Sequence, residues 1–427
     1  MKNHGRFNLK KSTTCLLMAL MAIPAPAQVL DALIVSALSS HPAVQSQRAQ
    51  VDSALAGLAA ARWQFYPTPS VVVESANSSA ADRSYPGDST VTSLRLQQPV
   101  WTGGRLSAGV AKSQAGVSVN RAALEEARVQ LALRVVQAYG EWLAAHLKAL
   151  AQEKSLTTHA RLREQVARRI EQGVSAQSDL LLAVARLETL AAEIAALRSQ
   201  HDIAVARLGQ LIGRPADPIA LARAPAVPRP VPAGIQSLLD QAQRLSPAIQ
   251  KAQAQADAQL ATIDERRAEL APEVYLRVER QYGNYSYRNA SPENRLFLGL
   301  SSRFGAGLSS LSNIEAAQAQ HQAALADIEV QSRALHEQVL ADHALASSTQ
   351  GRLAALKASL DAAGQVSESY DRQFLAGRKT WLDVMNAARE LAQTELQLAD
   401  IASAQVVLSW RLAILTQGLG GAVAGSL

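Results

Sequence analysis

The sequence repeats itself once, at a spacing far longer than that of a solenoid. Displaced by 203 to 205 residues, its landmarks coincide. "HPAVQSQRAQ" from His41 meets "SPAIQKAQAQ" from Ser246, Pro67 meets Pro272, and Glu74 meets Glu279. Gly103 and Gly104 meet Ala306 and Gly307, Gly173 meets Gly377, and Asp179 meets Asp383. Solenoid units recur every 20–50 residues, so this is a duplicated domain-sized unit, and whatever one half folds into the other must fold into as well. Between the copies, "RPADPIALARAPAVPRPVPAG" holds six of the chain's 16 prolines. Proline removes a helix donor and clashes with the preceding turn, so residues 214–234 read as a linker.

Each copy runs helix, strand, loop, strand, long helix, turn, helix. The expected repeats cover 28–213 and 235–417, with hairpins at 70–98 and 273–303 and helical hairpins at 105–213 and 308–417. Residues 418–427 are expected to form a flexible tail. The strands alternate: Val274, Leu276 and Val278 oppose Tyr275, Arg277 and Glu279, and Leu94 and Leu96 oppose Arg95 and Gln97. Leu296, Leu298 and Leu300 likewise oppose Phe297 and Gly299. Period two with one apolar face marks strands half-buried against something oily. Eleven of the 18 aromatics lie in or beside these hairpins, among them Trp63, Phe65, Tyr66, Tyr85, Trp101, Tyr282, Tyr287 and Phe304. Rings gathered at strand ends resemble the interfacial girdles of membrane barrels. A soluble sandwich with surface tyrosines is the competing reading.

Four strands cannot close on themselves, and an open sheet edge in lipid leaves amides unpaired. The smallest membrane barrels have about eight strands. Chains must then pool their hairpins, and cyclic symmetry makes three chains with twelve strands the natural solution. From Arg105 to Gln172 there is no proline, enough for a helix of ~100 Å. Leu131, Val135, Ala138, Trp142, Ala145 and Ala149 form one seam, and Val129, Leu133, Val136, Gly140, Leu143, Leu147 and Leu150 a second, nearly opposite. Two opposed seams suit a helix with neighbours on both sides, as in a wall. The paired glycines Gly103/Gly104 and Gly305/Gly307 are then the corners where a tilted strand turns into a long helix.

At the N-terminus, Lys2, Arg6, Lys10 and Lys11 precede a short apolar run and the small residues Ala25 to Ala27. This predicts a secretory leader over residues 1–27, cleaved near Ala27. The single cysteine, Cys15, leaves with it, which suits an oxidising compartment. Without the leader's four bases, 38 basic residues face 36 acidic ones. The isoelectric point near 9.5 is therefore no sign of nucleic-acid binding, which needs a basic patch. After residue 27 no segment is expected to be apolar enough for a membrane helix; "VVLSWRLAIL" is short and carries Arg411.

"ARWQFYPTPSV", "LRLQQPVWTGGRL", "EQGVSAQSDLLLA" and "FLAGRKTWLDVMNA", in this duplicated order, resemble the TolC family of outer-membrane efflux proteins across the whole mature chain. The resemblance implies a mainly α protein with membrane β: a homotrimer with a 12-stranded β-barrel continuous with a 12-helix α-barrel. It implies an outer-membrane exit duct that works with a periplasmic adaptor and an inner-membrane ABC transporter. The first half is most similar to the branch serving type I secretion of adhesins. Multidrug efflux with an RND pump is the alternative, and a soluble periplasmic coiled-coil spacer is the rival of another class.

By motif position, the resemblance implies an entrance built at the Gly173–Val174–Ser175 and Gly377–Arg378 turns, where the adaptor docks. Asp179 and Lys379 are implied as an acid–base link and Asp383 as an acidic ring facing the pore. Asn386 stands where drug-efflux relatives carry an acid, and Phe374 where they carry a tyrosine whose hydroxyl helps lock the entrance. Independently of the family, Asp179 and Asp383 also suit helix capping after a glycine turn. No HExxH, GxSxG or GxxxxGK[ST] pattern occurs, and the eight histidines are scattered, His146 and His159 reading as solvated or interhelical. The expectation is a passive conduit without catalytic residues, cofactor or metal.

Overall fold

The computed structural model describes residues 29–77, 86–223, 225–232, 234–289, 291–302 and 309–423. The leader with Cys15, Tyr85, Phe304, Gly305, Gly307 and residues 424–427 lie outside them. In each copy the leading helical segment is two helices. Helix α1 (Val29–Ser40) gives way to α2 (Pro42–Trp63) and, in the second copy, α6 (Ile235–Leu245) to α7 (Pro247–Ala268). Both breaks have one cause. A proline at the first helical position follows a capping side chain: His41 Nδ1 accepts from the Ala43 amide (3.1 Å) and Ser246 Oγ from that of Ile249 (3.4 Å).

Strands β1 (Thr68–Ser75), β2 (Thr90–Trp101), β3 (Glu273–Tyr282) and β4 (Glu293–Ser301) form one antiparallel sheet in that order. The two copies join through β2 and β3, leaving one side of β1 and one side of β4 unpaired by any described strand. Below the sheet run α3 (Arg105–Glu171), α4 (Gln177–Ile212), α8 (Ser309–Leu375) and α9 (Trp381–Ala422). The near-sheet half of α3 packs on α2 and α7, with Lys112–Glu265 and Lys251–Glu126 pairs. Its far half packs on α4 and α9. The result is a wall of helices, and α3 is covered along the middle of both expected seams, with Leu150 at the end of the second exposed. Leu131, Val135 and Trp142 of one, and Val136, Gly140 and Leu143 of the other, are all buried.

The main core sits midway along the wall, where Leu30 and Ile34 of α1, Tyr139 and Trp142 of α3, Leu208 of α4 and Trp410 of α9 meet with almost no exposure. Three expectations need correction here. The linker contains a helix, α5 (Pro218–Arg223), and is strapped down: the Ala226 amide donates to Tyr139 Oη (2.7 Å), and Arg229 lies 4.1 Å over the Trp410 ring. The tail is no loose end up to residue 423. α9 kinks at Gly418 (φ 70°), continues to Ala422, and buries Leu419, Ala422 and Val423 in the core. Finally, α9 does contain a stretch apolar and long enough, by composition, to cross a membrane. Its apolar residues serve the packing of the wall instead, with half of that stretch buried and Arg411 paired to Asp342 at 3.1 Å.

Candidate functional site

Two surfaces stand out: the sheet, and the far tips of the helical hairpins. On the sheet, cross-strand pairs put Val71, Leu94 and Leu96 on one face with Leu276, Val278, Leu296, Leu298 and Leu300. All are exposed, Leu298 by 75%. The opposite face carries Ser93, Arg95, Gln97, Arg277, Glu279, Gln281 and Arg295. No second layer covers the apolar face among the described residues. Trp63, Phe65, Tyr66 and Trp101 are exposed at the end nearest the helices, and Tyr282 and Tyr287 at the other. An apolar band with a polar reverse side and aromatic margins is the surface a lipid bilayer covers.

The corner between β2 and α3 depends on glycine. Gly103 and Gly104 have φ of 61° and 91°, and a Cβ on Gly103 would lie 2.0 Å from that of Ala271. Arg105 ties the corner to β3 through Glu273 (3.2 Å).

At the tips, both turns close alike. Gly173 (φ 71°) and Gly377 (φ 73°) adopt left-handed backbone. The next amides, Val174 and Arg378, reach back to the carbonyls of Arg169 and Gln373, each at 2.8 Å. This is the Schellman arrangement, which satisfies carbonyls orphaned at a helix end. Val174 and Arg378 are exposed and Ser175 half-buried, leaving the turns open to a partner.

The following helices start differently. At α9, Thr380 Oγ1 accepts from the Asp383 amide (3.2 Å), and Asp383 Oδ2 accepts from the Thr380 amide (3.1 Å) and hydroxyl (2.8 Å). This capping box holds the Asp383 carboxyl below its ordinary pKa, with Lys379 adding a smaller push. At α4 the cap is Ala176, whose methyl group cannot accept a hydrogen bond, so Asp179 stands half-exposed without a box. The capping reading thus holds for Asp383 and fails for Asp179. Nor does Lys379 reach Asp179 within the chain; it lies 4.0 Å from Asp383 and 4.2 Å over the Tyr370 ring.

Phe374 is buried against Trp381 in a small cluster with Leu162, Val166 and Met385. Arg169 of α3, a residue that no motif in the sequence marks, holds it there. Its Nη1 donates to the Phe374 carbonyl (2.8 Å), and its guanidinium carbon lies 4.6 Å over the ring. Arg161–Asp371 (2.6 Å), Lys154–Glu395 (2.5 Å) and Lys148–Asp400 (2.6 Å) continue this lacing of α3 to α8 and α9. Asn386 is exposed and lines a groove of about 580 Å³ between α3, α4 and α9, with Gln152, Arg186, Glu193 and Arg389. His159, in the same groove, is buried, and desolvation lowers its pKa against the opposing hydrogen bond to the Ser155 carbonyl; His146 stacks on Trp142. His146 also meets the His201 ring of α4, with centroids 6.0 Å apart, whereas the hydrogen bonds of His159 stay within α3. No cluster of potential metal ligands occurs among the described residues.

The sequence matches the outer membrane efflux protein family over residues 33–214 and 238–416, once per copy. The chain belongs to this family. It is 30% identical to protein CyaE of Bordetella pertussis over 355 residues, which is 79% of this chain and 73% of CyaE. Among solved structures, CusC superposes with a TM-score of 0.78 at 20% identity, covering 94% of this chain and 97% of CusC. VceC of Vibrio cholerae gives 0.78 at 18%, covering 92% and 96%. As an outer membrane efflux protein the chain is a channel of the outer membrane and not an enzyme. Its exposed apolar sheet face and long helical wall follow from that role.

Proposed function

We propose that three copies of the chain associate side by side into a 12-stranded barrel above a 12-helix tunnel, forming the exit duct of a tripartite export machine. One observation carries this reading: a four-stranded sheet with a bare apolar face and an unpaired edge at each side. In lipid, those edges find partners only on other copies. The helical wall has matching free margins. Leu181, Val184 and Ile203 are exposed on α4, and Leu311, Val330, Leu340, Leu345 and Val366 on α8. The leader over residues 1–27 delivers the chain to the periplasm.

In this reading an adaptor docks at the tip turns around Gly173 and Gly377, and three Asp383 carboxylates ring the entrance and favour cations. Asp179 and Lys379, unpaired with each other within a chain, meet between neighbouring copies. Arg169 and buried Phe374 take the part that a tyrosine hydroxyl plays in relatives. The cargo proposed is protein, through an inner-membrane ABC transporter. The higher identity to CyaE than to the solved channels, together with the wording of the first repeat, favours that branch. Small-molecule efflux is the second reading; the family's description names efflux without a cargo.

The deciding measurement is the protein mass of the detergent-extracted complex by light scattering. Three chains are expected; a monomer, or full recovery in buffer without detergent, would restore the soluble spacer. Loss of an exported protein from a deletion strain, with unchanged drug susceptibility, would separate the two cargo readings.

A further inference from the structure

The polar face of the sheet has an imbalance that strand stapling does not require. Direct cross-strand pairing puts Ser70, Arg95, Glu279 and Arg295 on one rung, and Thr68, Gln97, Arg277 and Phe297 on the next. Glu279, nearly inaccessible, accepts from Arg95 Nε at 3.0 Å and stands 3.8 Å from Arg277 Nε. One carboxylate therefore serves two guanidiniums. Arg277 is the less satisfied of the two: its Nε is buried with no hydrogen-bond partner, and its guanidinium carbon lies 4.5 Å over the Phe297 ring. Arg295 is balanced separately, by Glu293 and by Gln281 (3.0 Å).

The remaining described acids of this face sit away from mid-strand. Glu74 is near the end of β1, and Glu273 is at the helix end of β3, neutralised by Arg105. Mid-sheet thus keeps one uncompensated positive charge per chain. The side chains of Arg95 and Arg277 are 37% and 28% exposed, so their free N–H groups remain within reach of a solute. A guanidinium offers five donors in a planar fork that matches a carboxylate. A ring of such groups in a narrow, low-dielectric wall selects anions.

We propose that Arg95 and Arg277 form, three times over around the closed barrel, a belt that binds multivalent carboxylate anions on their way out. The belt rests on the barrel reading above, in which the polar face turns inward. It gives the duct a second electrostatic station, of opposite sign to the Asp383 ring at the far end.

The test is block of single-channel current by citrate added on the barrel side of a planar bilayer, compared with addition on the helical side. The wild-type protein, Arg277→Gln and Glu279→Gln are each recorded. Arg277→Gln removes the surplus charge while leaving the Arg95–Glu279 pair, so block from the barrel side weakens. Glu279→Gln enlarges the surplus, so block strengthens, and these opposite shifts cannot both come from a loosened fold. Equal block in all three proteins, or block only from the helical side, overturns the belt. Trimers that conduct yet show this pattern sink the belt alone. A protein that is monomeric in detergent and passes no current sinks the barrel reading with it.

Discussion

Arg169 and Phe374 join the two helical hairpins at their tips: the guanidinium donates to the Phe374 carbonyl at 2.8 Å and covers its ring at 4.6 Å. The acceptor lies in the last turn of α8, at the negative end of the helix dipole, and also accepts from the Gly377 amide (3.0 Å). A cation there is favoured twice, by charge and by the ring face. Replacing Arg169 by alanine should weaken the tip by about 2 kcal/mol and raise single-channel conductance. Arg169→Lys, which keeps charge but not the planar fork, should fall between. Conductance unchanged in both variants would leave Arg169 a packing residue only.

The unequal caps of α4 and α9 make a paired prediction. Thr380→Ala should destabilise the start of α9 by about 1 kcal/mol. Ala176→Thr, placed three residues before Asp179, should stabilise the start of α4 by a similar ~1 kcal/mol by completing the missing box. Hydrogen exchange of the first-turn amides reads both, and equal protection before and after substitution would contradict the capping account.

Acid should loosen the start of α9. Hydrogen bonds from Thr380 lower the Asp383 pKa, so its contribution is complete above the ordinary carboxylate pKa. That contribution is lost as pH falls through the depressed folded value. Thr380→Ala should move this loss to higher pH. Titration of the Asp383 carboxyl by NMR, in wild type and variant, checks the direction.

Asp342 shows the reverse sign. It is almost wholly buried beside Arg411, and burial raises its pKa more than the arginine lowers it. A raised folded pKa means that stability grows as pH falls toward the unfolded value. Arg411→Met leaves the carboxylate buried and unpaired, at a cost of about 3–5 kcal/mol. The variant should recover part of that loss on acidification. Thermal unfolding at neutral and mildly acid pH measures this, and a pH-independent deficit would exclude Asp342 as its source.

The two faces of the sheet should answer differently to the same charge. Leu298→Arg, on the exposed apolar face, should cost about 2–4 kcal/mol near the bilayer midplane. Thr68→Arg, on the polar face, should be tolerated. Comparing the yield of folded protein in membranes tests the assignment of faces, and equal yields would reverse or void it. Gly103→Ala should be worse than Gly377→Ala. Both positions hold positive φ, worth about 1–2 kcal/mol against any other residue, but only Gly103 faces a clash.

Much of this architecture was legible because it is local. The absence of proline after Arg105 permits a single helix of 67 residues, and α8 repeats that length in the second copy. Alternation in "EVYLRVERQ" and "RLFLGLSS" separates the two faces as the register does. Gly103, Gly173 and Gly377 sit where positive φ is needed. The breaks before Pro42 and Pro247 fall where a single leading helix was expected, although their signal is local: a capping side chain precedes a proline at each. The kink at Gly418 is marked by a glycine, but nothing local says that the chain beyond it is buried.

The sequence by itself determined the duplicated order of strands and long helices, the unbroken length of α3, the corner at Gly103 and the apolar face of β2, β3 and β4. Turn chemistry, proline and side-chain periodicity act over a few residues, and each copy repeats them. Only the tertiary structure decided which charges meet. Arg169 reaches Phe374, Arg411 reaches Asp342, and Glu279 takes Arg95 rather than its neighbour Arg277 as hydrogen-bond partner. The reason is geometric. These partners come from different helices or from different copies of the repeat. Whether they touch depends on helix rotation and strand register, which the packing of the whole wall sets and no short stretch encodes.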